Sequence, residues 1–119
     1  MAAKILVVDD QANMCWILSK VLAEAGFAVA TAQTGKDALA IVAEGEVMAA
    51  IIDYRLPDMT GIQLLARIHD NHTRLPAFLI TSYGSKALRQ EALQAGFAGY
   101  FDKPFHNQTL VAALRRTVP

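Results

Sequence analysis

The sequence is 119 residues long, which suits one compact domain with a sizeable core and leaves little room for a second. Its 54% hydrophobic and 18% charged content excludes an intrinsically disordered chain. Eleven Lys and Arg offset eleven Asp and Glu, so the basic footprint of a nucleic-acid binder is missing, and a single cysteine, Cys15, allows neither an internal disulfide nor a multi-cysteine zinc site.

Met1-Ala2-Ala3-Lys4 leads directly into a short apolar run. No signal peptide is expected, and no stretch approaches the roughly 20 apolar residues of a membrane span. The expected location is a reducing cytoplasm.

The first strand is predicted over Lys4 to Asp9, where Ile5-Leu6-Val7-Val8 is continuously apolar. Met14, Ile17, Leu18, Val21, Leu22 and Ala25 then recur at helical spacing. Trp16 falls opposite that stripe and Cys15 on its flank, and Gly26 supplies the left-handed residue that ends the helix. A second strand is predicted over Phe27 to Ala32. Gly35-Lys36 lacks the glycine-rich loop of a nucleotide site and reads as the start of a helix through Ala38, Leu39 and Val42.

The third strand is predicted over Met48 to Asp53, and Leu64, Leu65 and Ile68 mark the helix after it. Ala77 to Thr81 forms a fourth strand, followed by a helix with Leu88, Ala92 and Leu93 that ends at Gly96. Gly99 to Phe101 forms the fifth strand. Asn107 is a plausible N-cap for a last helix carrying Leu110, Ala113 and Leu114.

Strand and helix alternate throughout, the pattern of parallel strands joined by crossover helices. The first, third and fourth strands are uniformly apolar and therefore central; the second and fifth are mixed and suit edges. The fold class is α/β, a doubly wound (βα)5 sheet in the order 2-1-3-4-5.

In such a sheet ligands bind beyond the carboxyl ends of the strands. Asp9-Asp10, Asp53, Thr81-Ser82 and Lys103-Pro104 fall at or just past those ends and should converge. Three crowded carboxylates call for a cation, and oxygen donors suit Mg²⁺ (or Mn²⁺). A carboxylate beside such a metal is a competent nucleophile toward phosphorus, with the Thr81 hydroxyl and Lys103 ammonium available to phosphoryl oxygens. His69, His72 and His106 show no metal spacing and read as surface residues.

Leu6-Val7-Val8-Asp9-Asp10, Asp53-Tyr54-Arg55-Leu56-Pro57-Asp58-Met59-Thr60-Gly61, Thr81-Ser82-Tyr83-Gly84-Ser85 and Ala95-Gly96-Phe97-Ala98-Gly99-Tyr100-Phe101-Asp102-Lys103-Pro104-Phe105 closely resemble receiver domains of two-component response regulators, in order and at matching spacing. Within that family they look most like receivers of the nitrogen-regulatory transcriptional activators. The resemblance implies a phosphoacceptor, Asp53, served by a sensor histidine kinase or phosphotransfer protein. It implies a metal held by Asp9, Asp10, Asp53 and the backbone carbonyl of Arg55, a phosphate-binding Lys103, and a cis bond between Lys103 and Pro104. It further implies a Thr81–Tyr100 pair that switches the surface of the last helices, an output domain beyond residue 119 or a separate target, and a homodimer through those helices.

Arg55 and Tyr83 lie two residues past Asp53 and Thr81, where side chains gate the water that hydrolyses the acyl phosphate; both are bulky, so slow self-dephosphorylation is expected. Trp16 lies on the first helix, which in this family docks on the kinase, and so becomes a partner-surface residue. No separate substrate turnover is expected: a phosphatase of the haloacid dehalogenase type needs an aspartate where this chain has Arg55, and receiver-like modules that work without phosphorylation lose pocket residues that this chain keeps.

Overall fold

A computed structural model describes residues 2–71 and 74–118. Five strands alternate with five helices: β1 (Lys4–Val8), α1 (Ala12–Glu24), β2 (Ala28–Ala32), α2 (Gly35–Ala43), β3 (Val47–Asp53), α3 (Gly61–Asn71), β4 (Ala77–Thr81), α4 (Lys86–Gln94), β5 (Gly99–Asp102) and α5 (Asn107–Thr117). The strands form one parallel sheet in the order β2-β1-β3-β4-β5, as the patterning predicts.

Alternation along the central strands divides the core into two layers. Leu6, Val8, Ala50, Ile52, Ala77 and Leu79 face α2, α3 and α4, whereas Ile5, Val7, Ala49, Ile51, Phe78 and Ile80 face α1 and α5. Both faces are covered, which is why these strands are apolar at every position. Among the described residues, no helix is long and apolar enough to cross a membrane.

Side-chain caps set most helix starts. Thr34 accepts from the Asp37 amide and Ser85 from the Leu88 amide, both at 3.0 Å. Thr60 and Gln63 form a reciprocal box, with the Gln63 amide donating to Thr60 Oγ1 at 3.1 Å and the Thr60 amide to Gln63 Oε1 at 2.9 Å. Gly26 and Gly96 adopt the left-handed conformation after α1 and α4, with φ of 97° and 103°.

Several expectations need correction. Ile17 is 43% exposed and Cys15 is buried, so the inward stripe of α1 runs through Cys15, Leu18 and Leu22. Apolar spacing defined the helix; packing against the sheet decided its rotation. Leu93 is likewise exposed, because α4 turns Leu88 and Ala92 inward. Asn107 is the first residue of α5 rather than its cap; His106 holds the cap position without a side-chain bond. His69 is half-buried, its Nε2 lying 3.1 Å from the Leu75 carbonyl, His106 is exposed as expected, and His72 lies outside the described residues.

Gly61 opens α3 directly under the end of β3, its amide donating to the Tyr54 carbonyl at 2.6 Å. An added Cβ would meet the Asp53 carbonyl oxygen at 2.5 Å and the Ile52 and Leu79 side chains at 2.9 and 3.0 Å. Gly61→Ala is therefore expected to cost about 2 kcal/mol of unfolding free energy, measured by urea titration. A loss below about 0.5 kcal/mol would show that α3 shifts freely.

Candidate functional site at the carboxyl edge of the sheet

The parallel sheet brings the ends of β1, β3, β4 and β5 to one edge. Asp9 continues the β1 line by donating its amide to the Ala32 carbonyl, which drives its side chain inward, and Asp53 closes β3. Both are buried, whereas Asp10 is exposed. One carboxylate oxygen from each of the three lies within 4.8 Å of the others.

Lys103 enters from the end of β5, after its own amide has bonded the Thr81 carbonyl at 2.8 Å, and its bond to Pro104 is cis. Its Nζ lies 2.8 Å from Asp9 Oδ2 and 3.2 Å from Asp53 Oδ1. The other Asp9 oxygen accepts the Gln11 amide at 2.9 Å. Asp10, Asp53, Arg55, Ser82, Tyr83 and Lys103 line a small cleft of about 150 Å³. A larger groove of about 470 Å³ lies at the opposite ends of β3 and β4, beside Glu46 and Arg74, but lacks this concentration of carboxylates.

Burial first, and then the neighbouring charges, set the electrostatics of the site. Burial, then the charge of Asp9, pushes the Asp53 carboxyl up to about 6 despite the opposing pull of Lys103. Burial pulls Lys103 down, but its hydrogen bond to Asp9 and the charges of Asp9 and Asp53 outweigh that and hold the ammonium above the ordinary lysine value. Because Lys103 sits nearer Asp9, Asp53 is the less neutralised partner.

Thr81 is buried at the end of β4, and its Oγ1 accepts the Tyr83 amide at 2.9 Å, which leaves its own hydroxyl proton to donate. The Arg55 guanidinium stacks 4.1 Å from the centre of the Tyr83 ring, so these two residues meet at the cleft rim. The Tyr100 hydroxyl donates to Asp102 Oδ1 at 2.9 Å; burial first, then this bond, raises the phenol above its ordinary value. Trp16 is 63% exposed on α1 and sits apart from the acidic cleft, with Lys20 Nζ 4.7 Å from its ring centre.

Three contributors escaped the sequence reading. Cys15 lies beneath the site and donates its thiol to the Asp9 carbonyl at 3.3 Å; burial first, then the Asp9 charge, pushes that thiol up. Asp102 binds Tyr100, and Asp58 bonds two amides of α2. Only Cys15 had a usable local signal, its place three residues before Leu18 and seven before Leu22.

A doubly wound sheet whose carboxyl edge holds three aspartates, a buried threonine and a lysine defines a receiver-like architecture. Residues 5–115 match the response regulator receiver domain family, and the chain belongs to that family. It is 33% identical over 112 residues to the DNA-binding transcriptional regulator NtrC of Salmonella typhimurium, covering 94% of this chain and 24% of that one. It is 38% identical over 117 residues to the transcriptional regulatory protein ZraR of the same organism, covering 95% and 26%. The chain thus spans about a quarter of the length of these curated relatives.

Among solved structures, a CheY-like receiver domain protein from Methanospirillum hungatei superposes with a TM-score of 0.92 at 28% identity, covering 98% of this chain and 93% of that one. The beryllofluoride-activated NtrC4 receiver domain dimer gives 0.93 at 26% identity, covering 98% and 96%.

The Asp53 shift has a definite sign. Its folded-state pKa of about 6 exceeds the unfolded value near 3.8, so its protonated form stabilises the fold at low pH and that contribution is lost as pH rises through about 6. Without metal, Asp53→Asn is expected to gain about 2–3 kcal/mol relative to wild type between pH 4 and pH 7. Urea unfolding of both proteins across that range checks this; parallel pH profiles would contradict it.

Proposed function

We propose that the chain accepts a phosphoryl group on Asp53 from a sensor histidine kinase or phosphotransfer protein in the cytoplasm, residues 1–119 acting as one receiver domain. The observation that carries this reading is the approach of three carboxylates to within 4.8 Å of one another, two of them paired with the Lys103 ammonium. That cluster is short of positive charge and offers hard oxygen donors, so its residues fit a divalent ion. Asp9, Asp10, Asp53 and the Arg55 carbonyl would hold Mg²⁺ (or Mn²⁺), which when bound supplies charge that neutralises the phosphoryl oxygens.

In the transfer, an Asp53 oxygen attacks phosphorus while the bond from phosphorus to the donor histidine nitrogen breaks. The electron pair leaves with that nitrogen, which takes a proton from solvent. Thr81, whose hydroxyl proton is uncommitted in the bond to Tyr83, donates to one phosphoryl oxygen, and the Lys103 ammonium meets another. The charge placed beside Thr81 and Tyr100 alters the surface of α4, β5 and α5, which an output domain, a separate target or a second copy of the chain would read. The stacked Arg55 and Tyr83 shield the acyl phosphate from water, and Trp16 on α1 anchors the kinase.

Incubation with a small phosphodonor and Mg²⁺ is expected to label wild type and spare Asp53→Asn, as read by intact mass; equal labelling overturns the assignment. Replacing Arg55 and Tyr83 together by Ala should shorten the phosphoryl lifetime several-fold, and an unchanged lifetime argues against shielding. Trp16→Ala should slow transfer from the cognate kinase while small-donor labelling stays unchanged; a parallel fall in both would assign Trp16 to the fold instead.

A further inference from the structure

The loop that leaves β3 at Asp53 and returns at Gly61 is bound at its tip to a distant helix start. Asp58 Oδ1 accepts the Gly35 amide at 2.8 Å and Oδ2 accepts the Lys36 amide at 2.9 Å, from 23 and 22 residues away. These are the first two residues of α2, whose amides have no partner within the helix and favour a negative charge. Thr34 takes the next donor, the Asp37 amide, so the two side chains divide the open end between them.

A second contact reinforces the bridge. The Met59 side chain lies flush on buried Gly35 and fills the space that a Cβ there would need. The two amide bonds, Gly35 first, hold the Asp58 carboxyl below its ordinary value, so it is charged at neutral pH.

The loop is cross-bonded between its tip and the cleft. The Leu56 amide bonds the Met59 carbonyl at 3.1 Å, Arg55 and Thr60 pair as an antiparallel bridge, and Gly61 bonds Tyr54. A displacement at Asp58 is therefore carried to Arg55, which lines the cleft beside Asp53.

We propose that Asp58 is a positioning residue for the phosphoacceptor site: by clamping the β3–α3 loop to the start of α2, it sets where Arg55 stands beside the acidic cleft. This rests on the reading of Asp53 as phosphoacceptor. It also makes the first amides of α2 responsive to events at Asp53, although α2 contributes no side chain to the cleft.

The test is a titration with beryllofluoride and Mg²⁺ followed by fluorine NMR, together with amide exchange at Gly35 and Lys36 in the ligand-free proteins. Asp58→Ala is expected to weaken binding about three- to tenfold and to speed exchange of both amides, with circular dichroism unchanged. Asp58→Asn, which keeps one acceptor oxygen, should fall between, and it carries the test if the alanine variant does not fold. Thr34→Ala removes a cap from the same helix without touching the loop, and should leave binding within about twofold of wild type.

Wild-type binding by Asp58→Ala, or an equal loss in Thr34→Ala, overturns the clamp and leaves Asp53 as phosphoacceptor. Identical behaviour of wild type and Asp53→Asn instead removes the phosphoacceptor reading, and the clamp falls with it.

Discussion

The structure depends on holding three carboxylates and one ammonium together at the carboxyl edge of the sheet. Asp9 and Asp53 are largely withdrawn from water, and Lys103 reaches Asp9 across 94 residues of sequence. Burying charge is costly unless the geometry returns the loss. Here the return is incomplete: Lys103 favours Asp9, and the raised pKa of Asp53 is the trace of the deficit. A fold relieved of this cluster would be more stable at neutral pH, and on the proposed reading a cation or a phosphoryl group with its counter-ion would find the site prepared.

That preparation comes from elements that cannot easily move. Each of β1, β3 and β4 is covered on both faces, by α1 and α5 on one side and α2, α3 and α4 on the other. The strands project polar residues only where the sheet ends. The intervening loops are tied down locally, by Tyr83 to Thr81, Gly61 to Tyr54 and Asp58 to α2. A floor covered on both faces with tethered rims suits the proposed phosphoryl transfer, which relies on positioning more than on covalent help from the protein.

The outer surfaces carry aromatic and apolar side chains exposed to solvent. Trp16 and Ile17 are both exposed on α1, with Lys20 stacked on the indole. On the opposite flank, Tyr100 is bound to Asp102, so its hydroxyl is committed outward, beside the loop that contains Gly84. The polar chemistry of the cleft and the exposed aromatic side chains of these faces belong to different parts of the same molecule.

Residue patterning alone determined the strand and helix alternation, the order 2-1-3-4-5 and the convergence of Asp9, Asp10, Asp53, Thr81 and Lys103, because apolar runs and strand ends are local properties and a parallel sheet allows few arrangements of them. The family, too, was legible in four short stretches. Tertiary structure decided what local periodicity does not encode: that Cys15 rather than Ile17 faces the sheet, that His69 is half-buried, and that Lys103 prefers Asp9 to Asp53. The pairing of Asp58 with Gly35 and Lys36 was equally invisible, since a carboxylate two dozen residues from its donors looks like any other loop aspartate until the chain has folded. Spacing along a chain reports which residues share a face. Which neighbour that face meets, and how charge divides among partners there, is settled only by distances in three dimensions.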